Sequence, residues 1–283
     1  MIERLYLNGC SWVEGHLLHE EEKVLEYAKS IGFEFESMFY AIKRRDPLTV
    51  EYNKSFKEFY NKFNLAEYIS KDLNINEVYN DSEGAGSNSR IVRTTVDYVK
   101  QLTAEQKEKT LVVIGWTMPE RNEIFLDDKS GLSTWCKFNL TQRFSELDHK
   151  SLEANFVKRI DKFWEQYVVD VHTFYHSIKK FFEQSCLLAN FLENNNIKYY
   201  FFNTFPILWG YNDLYNDYEL MEEIKKDIDY YNNNFSVENL NTTFEEFIKN
   251  IPNCHLSDKH PSSLGHKMWA EYILKNMKRK GVL

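Results

Sequence analysis

The apolar run Leu5-Tyr6-Leu7 leads straight into Asn8-Gly9-Cys10-Ser11, so a serine stands just past a predicted strand, on a tight turn opening into a helix. Ligands of open α/β sheets collect outside the carboxyl ends of the strands, which is where this turn puts Ser11. A serine hydroxyl is a weak nucleophile alone and needs a histidine base with a group to orient it. Asp258-Lys259-His260-Pro261, near the other end of the chain, contains both. Two more polar clusters follow predicted strands: Glu83-Gly84-Ala85-Gly86-Ser87-Asn88-Ser89-Arg90 and Gly115-Trp116-Thr117-Met118-Pro119-Glu120-Arg121-Asn122-Glu123. Each residue also has a plain structural role open to it. Ser11 can cap its helix, Asp258 can cap or sit at the surface, and Asn88 can satisfy a buried loop. Arg121 held by Glu123 suits either an anionic substrate group or an internal salt bridge that fixes the loop.

Positioning these clusters on one edge requires a parallel sheet. Short apolar runs bounded by turn residues alternate with longer amphipathic stretches, the pattern of strands covered by helices on both faces. Strands are expected near 4–8, 77–80, 110–115 and 198–203, with a short fifth near 253–256. Leu111-Val112-Val113-Ile114 is apolar without a break, as a central strand buried on both sides must be. Helices are expected from Phe56 to Leu73, Ser89 to Gln101, within Leu152–Glu193 and from Ser263 to Lys278, where apolar residues recur at steps of three and four. Residues 1–283 are expected to form one α/β domain with helical insertions near 140–193 and 210–250. The second, acidic and aromatic, reads as a solvated decoration or a lid.

A formal net charge of -8 argues against general affinity for nucleic acid or anionic membranes. Lys43-Arg44-Arg45 and Lys278-Arg279-Lys280 read as solvated helix ends. The four cysteines (Cys10, Cys136, Cys186, Cys254) form no C-x-x-C pair, which suits a reducing compartment and offers no structural zinc site. His172 and His176 stand four apart, but Thr173 occupies the place of a metalloprotease glutamate, so no metal and no other cofactor is expected. With neither a secretory leader pattern nor about 18 consecutive apolar residues, a cytoplasmic protein without a membrane span is expected.

The four clusters resemble the blocks of the SGNH/GDSL hydrolase superfamily, and more closely a group of SGNH-like proteins found in bacteriophages. The residues that carry the resemblance are Gly9-Cys10-Ser11, the Gly-rich Ser87-Asn88-Ser89-Arg90-Ile91, Ile114-Gly115-Trp116-Thr117 with Arg121 and Glu123, and Asp258-Lys259-His260-Pro261 with Gly265-His266. It implies a three-layer α/β/α sandwich, flavodoxin-like, around a parallel five-stranded sheet, and serine ester hydrolysis. Ser11 matches the nucleophile, His260 the base and Asp258 the nearest orienting carboxylate. The Ser11 backbone N–H, Gly84, Gly86, Asn88 and Thr117 are the candidate oxyanion donors, and Arg121 and Glu123 the candidate substrate contacts. The match has three departures. Cys10 replaces the aspartate of Gly-Asp-Ser, Thr117 replaces the asparagine of Gly-x-Asn-Asp, and Ser257 stands where the acid usually precedes the histidine by three.

The expected activity is hydrolysis of a carboxylic ester, such as an O-acetyl group on a small molecule or glycan, in the cytoplasm, or the host cytoplasm for a phage-encoded chain. The departures motivate a second reading, a binding or regulatory protein on a degenerate hydrolase fold. A third is an acyltransferase, in which an alcohol other than water takes the acyl group.

Overall fold

The protein is described by a computed structural model for residues 1–15, 18, 21–32, 59–84, 86–127, 133–139, 158, 161–162, 164–167, 173–207, 218–240 and 242–283. Lys43, Arg44, Arg45, Ala85, His172 and most of the insertion near 140–172 lie outside the described residues.

Four parallel strands form the central sheet: β1 (Arg4–Asn8), β2 (Glu77–Asn80), β3 (Thr110–Trp116) and β6 (Lys198–Asn203), in the order β2-β1-β3-β6. β1 pairs with β2 through Leu5↔Val78 and with β3 through Leu5↔Leu111, while β3 pairs with β6 through Val112↔Tyr199. Chain connections leave β1 in opposite directions across the sheet, so its carboxyl end beside that of β3 is a topological switch point, where a crevice opens. β3 is buried along its whole length, as its apolar run requires.

Side chains alternate across the strands and build one core on each face. Leu5, Leu7, Leu111, Val113, Tyr200 and Phe202 meet the helices α3 (Leu65–Leu73), α8 (Phe244–Ile248) and α9 (Ser263–Arg279). Tyr6, Val112, Ile114, Trp116 and Phe201 face α4 (Asn88–Lys100), α6 (Phe174–Asn194) and α7 (Tyr218–Asn234). The result is an α/β/α arrangement with a parallel sheet. Short helices α1 (Ser11–Glu14), α2 (Glu22–Ser30) and α5 (Ala104–Glu108) complete the described set. Polar residues start the main helices where the sequence changes from turn to apolar period. Asn64 accepts from the Ala66 N–H, Ser87 from Arg90, Thr173 from His176 and Ser262 from Gly265.

Three expectations about the fold are corrected. The helix expected from Phe56 to Leu73 starts only at Leu65, where Asn64 caps it after a turn at 61–63. The fifth strand does not form: Asn253 has φ 63, which breaks extended structure, and His255 makes only an isolated bridge to Pro261. The edge beside β6 is occupied instead by an isolated parallel bridge between Phe201 and Val237. The sheet therefore has four strands rather than five. The segment after β3, expected as a loop, is an antiparallel hairpin of β4 (Arg121–Asp127) and β5 (Ser133–Asn139), in register from Arg121↔Asn139 to Asp127↔Ser133.

The turn after β1 lies hard against β3. A Cβ at Gly9 would lie 2.5 Å from Val13 Cγ2 and 2.9 Å from the Gly115 carbonyl oxygen. One at Gly115 would lie 2.4 Å from Val13 Cγ2 and 2.8 Å from the Phe202 ring. Gly115→Ala is expected to lower stability by about 1–3 kcal/mol through overpacking, read as a lower urea midpoint with an unchanged slope.

Candidate active site

Ser11 opens α1, immediately after the extended residue Cys10, whose carbonyl accepts from the Val13 and Glu14 N–H groups at 3.0 Å. Gly15 ends this one-turn helix with φ 87. The turn is held from below by Asn8, whose side chain is fully buried. Its Oδ1 accepts from the Gly9 N–H at 2.9 Å, and its Nδ2 lies within 2.9–3.1 Å of the Tyr6, Thr94 and Thr95 hydroxyls. Arg90 extends the same network. It donates to the Asp81 carbonyl at 2.8 Å, to the Asp81 carboxylate at 3.2 Å and to Glu83 at 2.6 Å. The first two clusters of the sequence are thus laced together by two side chains, Asn8 and Arg90, to which type and spacing had assigned no role.

His260 arrives from the loop before α9. Its Nε2 lies 3.0 Å from Ser11 Oγ, and its Nδ1 lies 2.5 Å from Asp258 Oδ2. The other oxygen of Asp258 accepts from the His260 backbone N–H at 3.0 Å. An acid only two residues before the histidine reaches the ring because Lys259 takes φ 72, folding the chain back on itself. This backbone reversal is closed by Lys259 N–H to the Leu256 carbonyl at 3.1 Å and Leu256 N–H to the His260 carbonyl at 2.8 Å. Glu21 anchors the start of α9 by accepting from the Ser263 N–H and hydroxyl. A neutral His260 that donates Nδ1–H to Asp258 keeps a bare Nε2 to accept the Ser11 proton. Side-chain exposures of 19% for His260 and 36% for Asp258 leave the pair open to a ligand.

The remaining candidates are distributed more widely. Among the described residues the Ser11 N–H has no hydrogen-bond partner. Gly84 lies beside Glu14, whose carboxylate would be 3.4 Å from a Cβ at that position. The Gly86 N–H donates to the Glu83 carbonyl at 2.8 Å. Asn88 pairs with the backbone of Thr117 like a second peptide, accepting from its N–H at 3.0 Å and donating to its carbonyl at 3.2 Å. Thr117 Oγ1 accepts from Arg121 Nη1 at 3.0 Å. Arg121 and Glu123 do not pair, which corrects the expected contact. Glu123 is held in a two-bonded fork by Arg93 of α4, at 3.0 and 3.1 Å. Two residues apart on β4, the side chains reach different neighbours, Glu123 meeting Arg93 of α4 and Arg121 lying over the Phe205 ring at 5.7 Å.

Trp12 packs edge-on against Phe205 at 5.0 Å and Phe244 at 5.6 Å, and its ring lies 6.1 Å from that of His260. His266, one further turn along α9, is fully buried against Phe244 at 5.6 Å, and neither ring nitrogen has a partner among the described residues. Burial, assisted by the neighbouring His260, pushes its pKa down to about 3. His266 is therefore held neutral by its burial. Among the described residues no group of three or more His, Cys, Asp or Glu side chains is arranged to hold a metal ion, and no helix is long and apolar enough to cross a membrane.

A serine, a histidine and an aspartate in hydrogen-bonded sequence at the switch point of a parallel sheet define this as an α/β protein with a triad-like constellation. The chain belongs to the DUF6071 family, a family of unknown function, whose model matches residues 47–282. No curated protein matches it. Among solved structures it is similar to a G-D-S-L family protein from Desulfitobacterium hafniense at 12% identity and TM-score 0.44, covering 97% of this chain and 99% of that one. It is also similar to a lipolytic G-D-S-L family member from Veillonella parvula at 10% identity and TM-score 0.42, with 98% of each chain covered. The psychrotrophic esterase EstA from Pseudoalteromonas sp. gives 11% identity and TM-score 0.43, covering 98% of this chain and 97% of that one. Overlaps of this extent carry no inference about chemistry, which rests on the residues of this chain.

His266 has a pH signature with a definite sign. Its folded pKa lies below the ordinary 6.5, so only the unfolded chain binds its proton between the two values. Its contribution is complete above pH 6.5 and is lost as pH falls toward 3. Urea titrations of the wild type and His266→Leu between pH 6.5 and 4 are expected to differ in slope by about 1.4 kcal/mol per pH unit, the wild type being steeper.

Proposed function

We propose that the protein is a serine hydrolase of carboxylic esters, with Ser11 as nucleophile, His260 as general base and acid, and Asp258 as the residue that orients His260. The observation that carries this is the chain of contacts from Ser11 Oγ to His260 Nε2 at 3.0 Å and from His260 Nδ1 to Asp258 at 2.5 Å. Ser11 Oγ attacks the acyl carbon as its proton passes to Nε2, giving a tetrahedral oxyanion beside the Ser11 N–H. Collapse breaks the bond to the alcohol oxygen, which takes the proton from Nε2 and leaves an acyl-serine. Water then attacks this ester, gives its proton to Nε2, and the tetrahedral adduct releases the carboxylic acid as Ser11 recovers the proton. No step needs a metal or cofactor.

A second reading, acyl binding without turnover, is favoured by the internal use of two expected oxyanion donors, the Gly86 N–H on Glu83 and the Asn88 amide on Thr117. Treatment with a fluorophosphonate, followed by intact-mass analysis, separates the two. The hydrolase reading expects one adduct on the wild type and none on Ser11→Ala, with His260→Ala labelled far more slowly. It also expects Asp258→Asn to lower kcat on an activated ester by about 10⁴-fold. A folded wild type that takes no adduct and turns over no ester would establish the binding reading instead.

A further inference from the structure

We infer that Arg121 is an anion anchor, and that the ester accepted at Ser11 carries a carboxylate or phosphate group close to the scissile bond; this rests on the hydrolase reading of Ser11. The guanidinium is half-buried, and its contacts among the described residues are one hydrogen bond, Nη1 to Thr117 Oγ1 at 3.0 Å, and the face of Phe205 at 5.7 Å. Neither supplies a countercharge. Glu123, two residues on, is 2% exposed and committed to Arg93, and the neighbouring buried Glu120 acts on Arg121 only at longer range, so among the described residues Arg121 has no ion-pair partner. Removing an arginine from water without a partner is costly, and the cost falls away when a ligand brings the charge.

The guanidinium also stands in the right neighbourhood. Phe205, beneath Arg121, packs on Trp12 at 5.0 Å, and Trp12 follows Ser11 and lies 6.1 Å from His260. Thr117, which accepts from Arg121, is the first residue past β3, whose end lies beside the Ser11 turn. The aromatic floor of Trp12 and Phe205 therefore connects the nucleophile to the cation. A planar fork with one nitrogen already fixed on Thr117 presents its remaining N–H groups to a carboxylate or phosphate in a defined orientation. The net charge of -8 repels anions in general, so an anionic substrate needs such a local cation to be held.

The test uses the Ser11→Ala protein, which binds without turning over, and calorimetry with two pairs of esters. Monomethyl succinate against dimethyl succinate places a carboxylate on the acyl side. 2-Acetoxyethyl phosphate against ethylene glycol diacetate places a phosphate on the alcohol side. At least one charged ester is expected to bind roughly tenfold tighter than its neutral counterpart. The preference should vanish when Arg121→Gln is added and return only in part with Arg121→Lys, which restores the charge without the fork, with circular dichroism checking that each variant is folded. Equal binding of charged and neutral esters, absence of binding by both charged esters, or a preference that survives Arg121→Gln overturns the anchor. Fluorophosphonate labelling of wild-type Ser11 is read separately. Labelling without a charge preference removes the anchor and keeps the hydrolase, whereas a preference without labelling keeps the anchor and removes the hydrolase.

Discussion

The whole arrangement depends on how closely the chain passes over itself at the carboxyl ends of β1 and β3. Gly9 and Gly115 meet across this edge with Val13 seated on both, and neither position has space for one further carbon. That contact fixes the height of α1 above the sheet and therefore the height of Ser11. Interiors pack at crystal-like density, so displacement here propagates instead of being absorbed. Cys10, Trp12, Val13, Met118 and Phe205 share one core with Leu5, Leu7 and Val113, so the Ser11 turn is an extension of the hydrophobic layer and not a loop laid over it.

Polar order is built on the opposite face. Asn8, Asp81, Glu83 and Arg90 draw the end of β2, the end of β1 and the first turn of α4 together. A buried guanidinium with two carboxylate partners is compensated only while all three remain in place. His260 is fixed by a second, separate set of contacts, from Asp258, the Leu256 carbonyl loop and the Glu21 clasp on α9. Among the described residues, the two halves of the site meet at the Ser11–His260 hydrogen bond and where the Trp12 ring faces that of His260.

Much of this was legible in the residues. Strands β1, β3 and β6 could be read because each carries a short apolar run ended by turn residues, while the shorter, mixed Glu77-Val78-Tyr79-Asn80 of β2 shows it less, and the helix from Ser263 because apolar spacing follows Pro261 and a serine cap. Serine, histidine and aspartate were legible as types. What was not legible depends on backbone signs and on partners distant in the chain. Nothing in a lysine announces φ 72, yet Lys259 is what brings Asp258 onto the His260 ring. The segment 253–256 was read as a strand by composition, while the left-handed Asn253 and the bridge from Phe201 to Val237 give the edge to another segment. Arg121 and Glu123 suggested each other by proximity, but Arg93 lies 30 residues away from Glu123 and wins the carboxylate from a helix.

The Ser11–His260 bond spans 249 residues of chain, and this has a consequence for how the site comes into being. No fragment made of the Ser11 turn with its nearest strands contains His260, and no fragment made of the last helix contains Ser11. Closing so long a loop in an otherwise unstructured chain has a large entropic cost, so the contact forms when the intervening strands have already docked. The Ser11–His260 contact is thus a property of the finished topology, absent from any partly folded chain that has yet to seat α9.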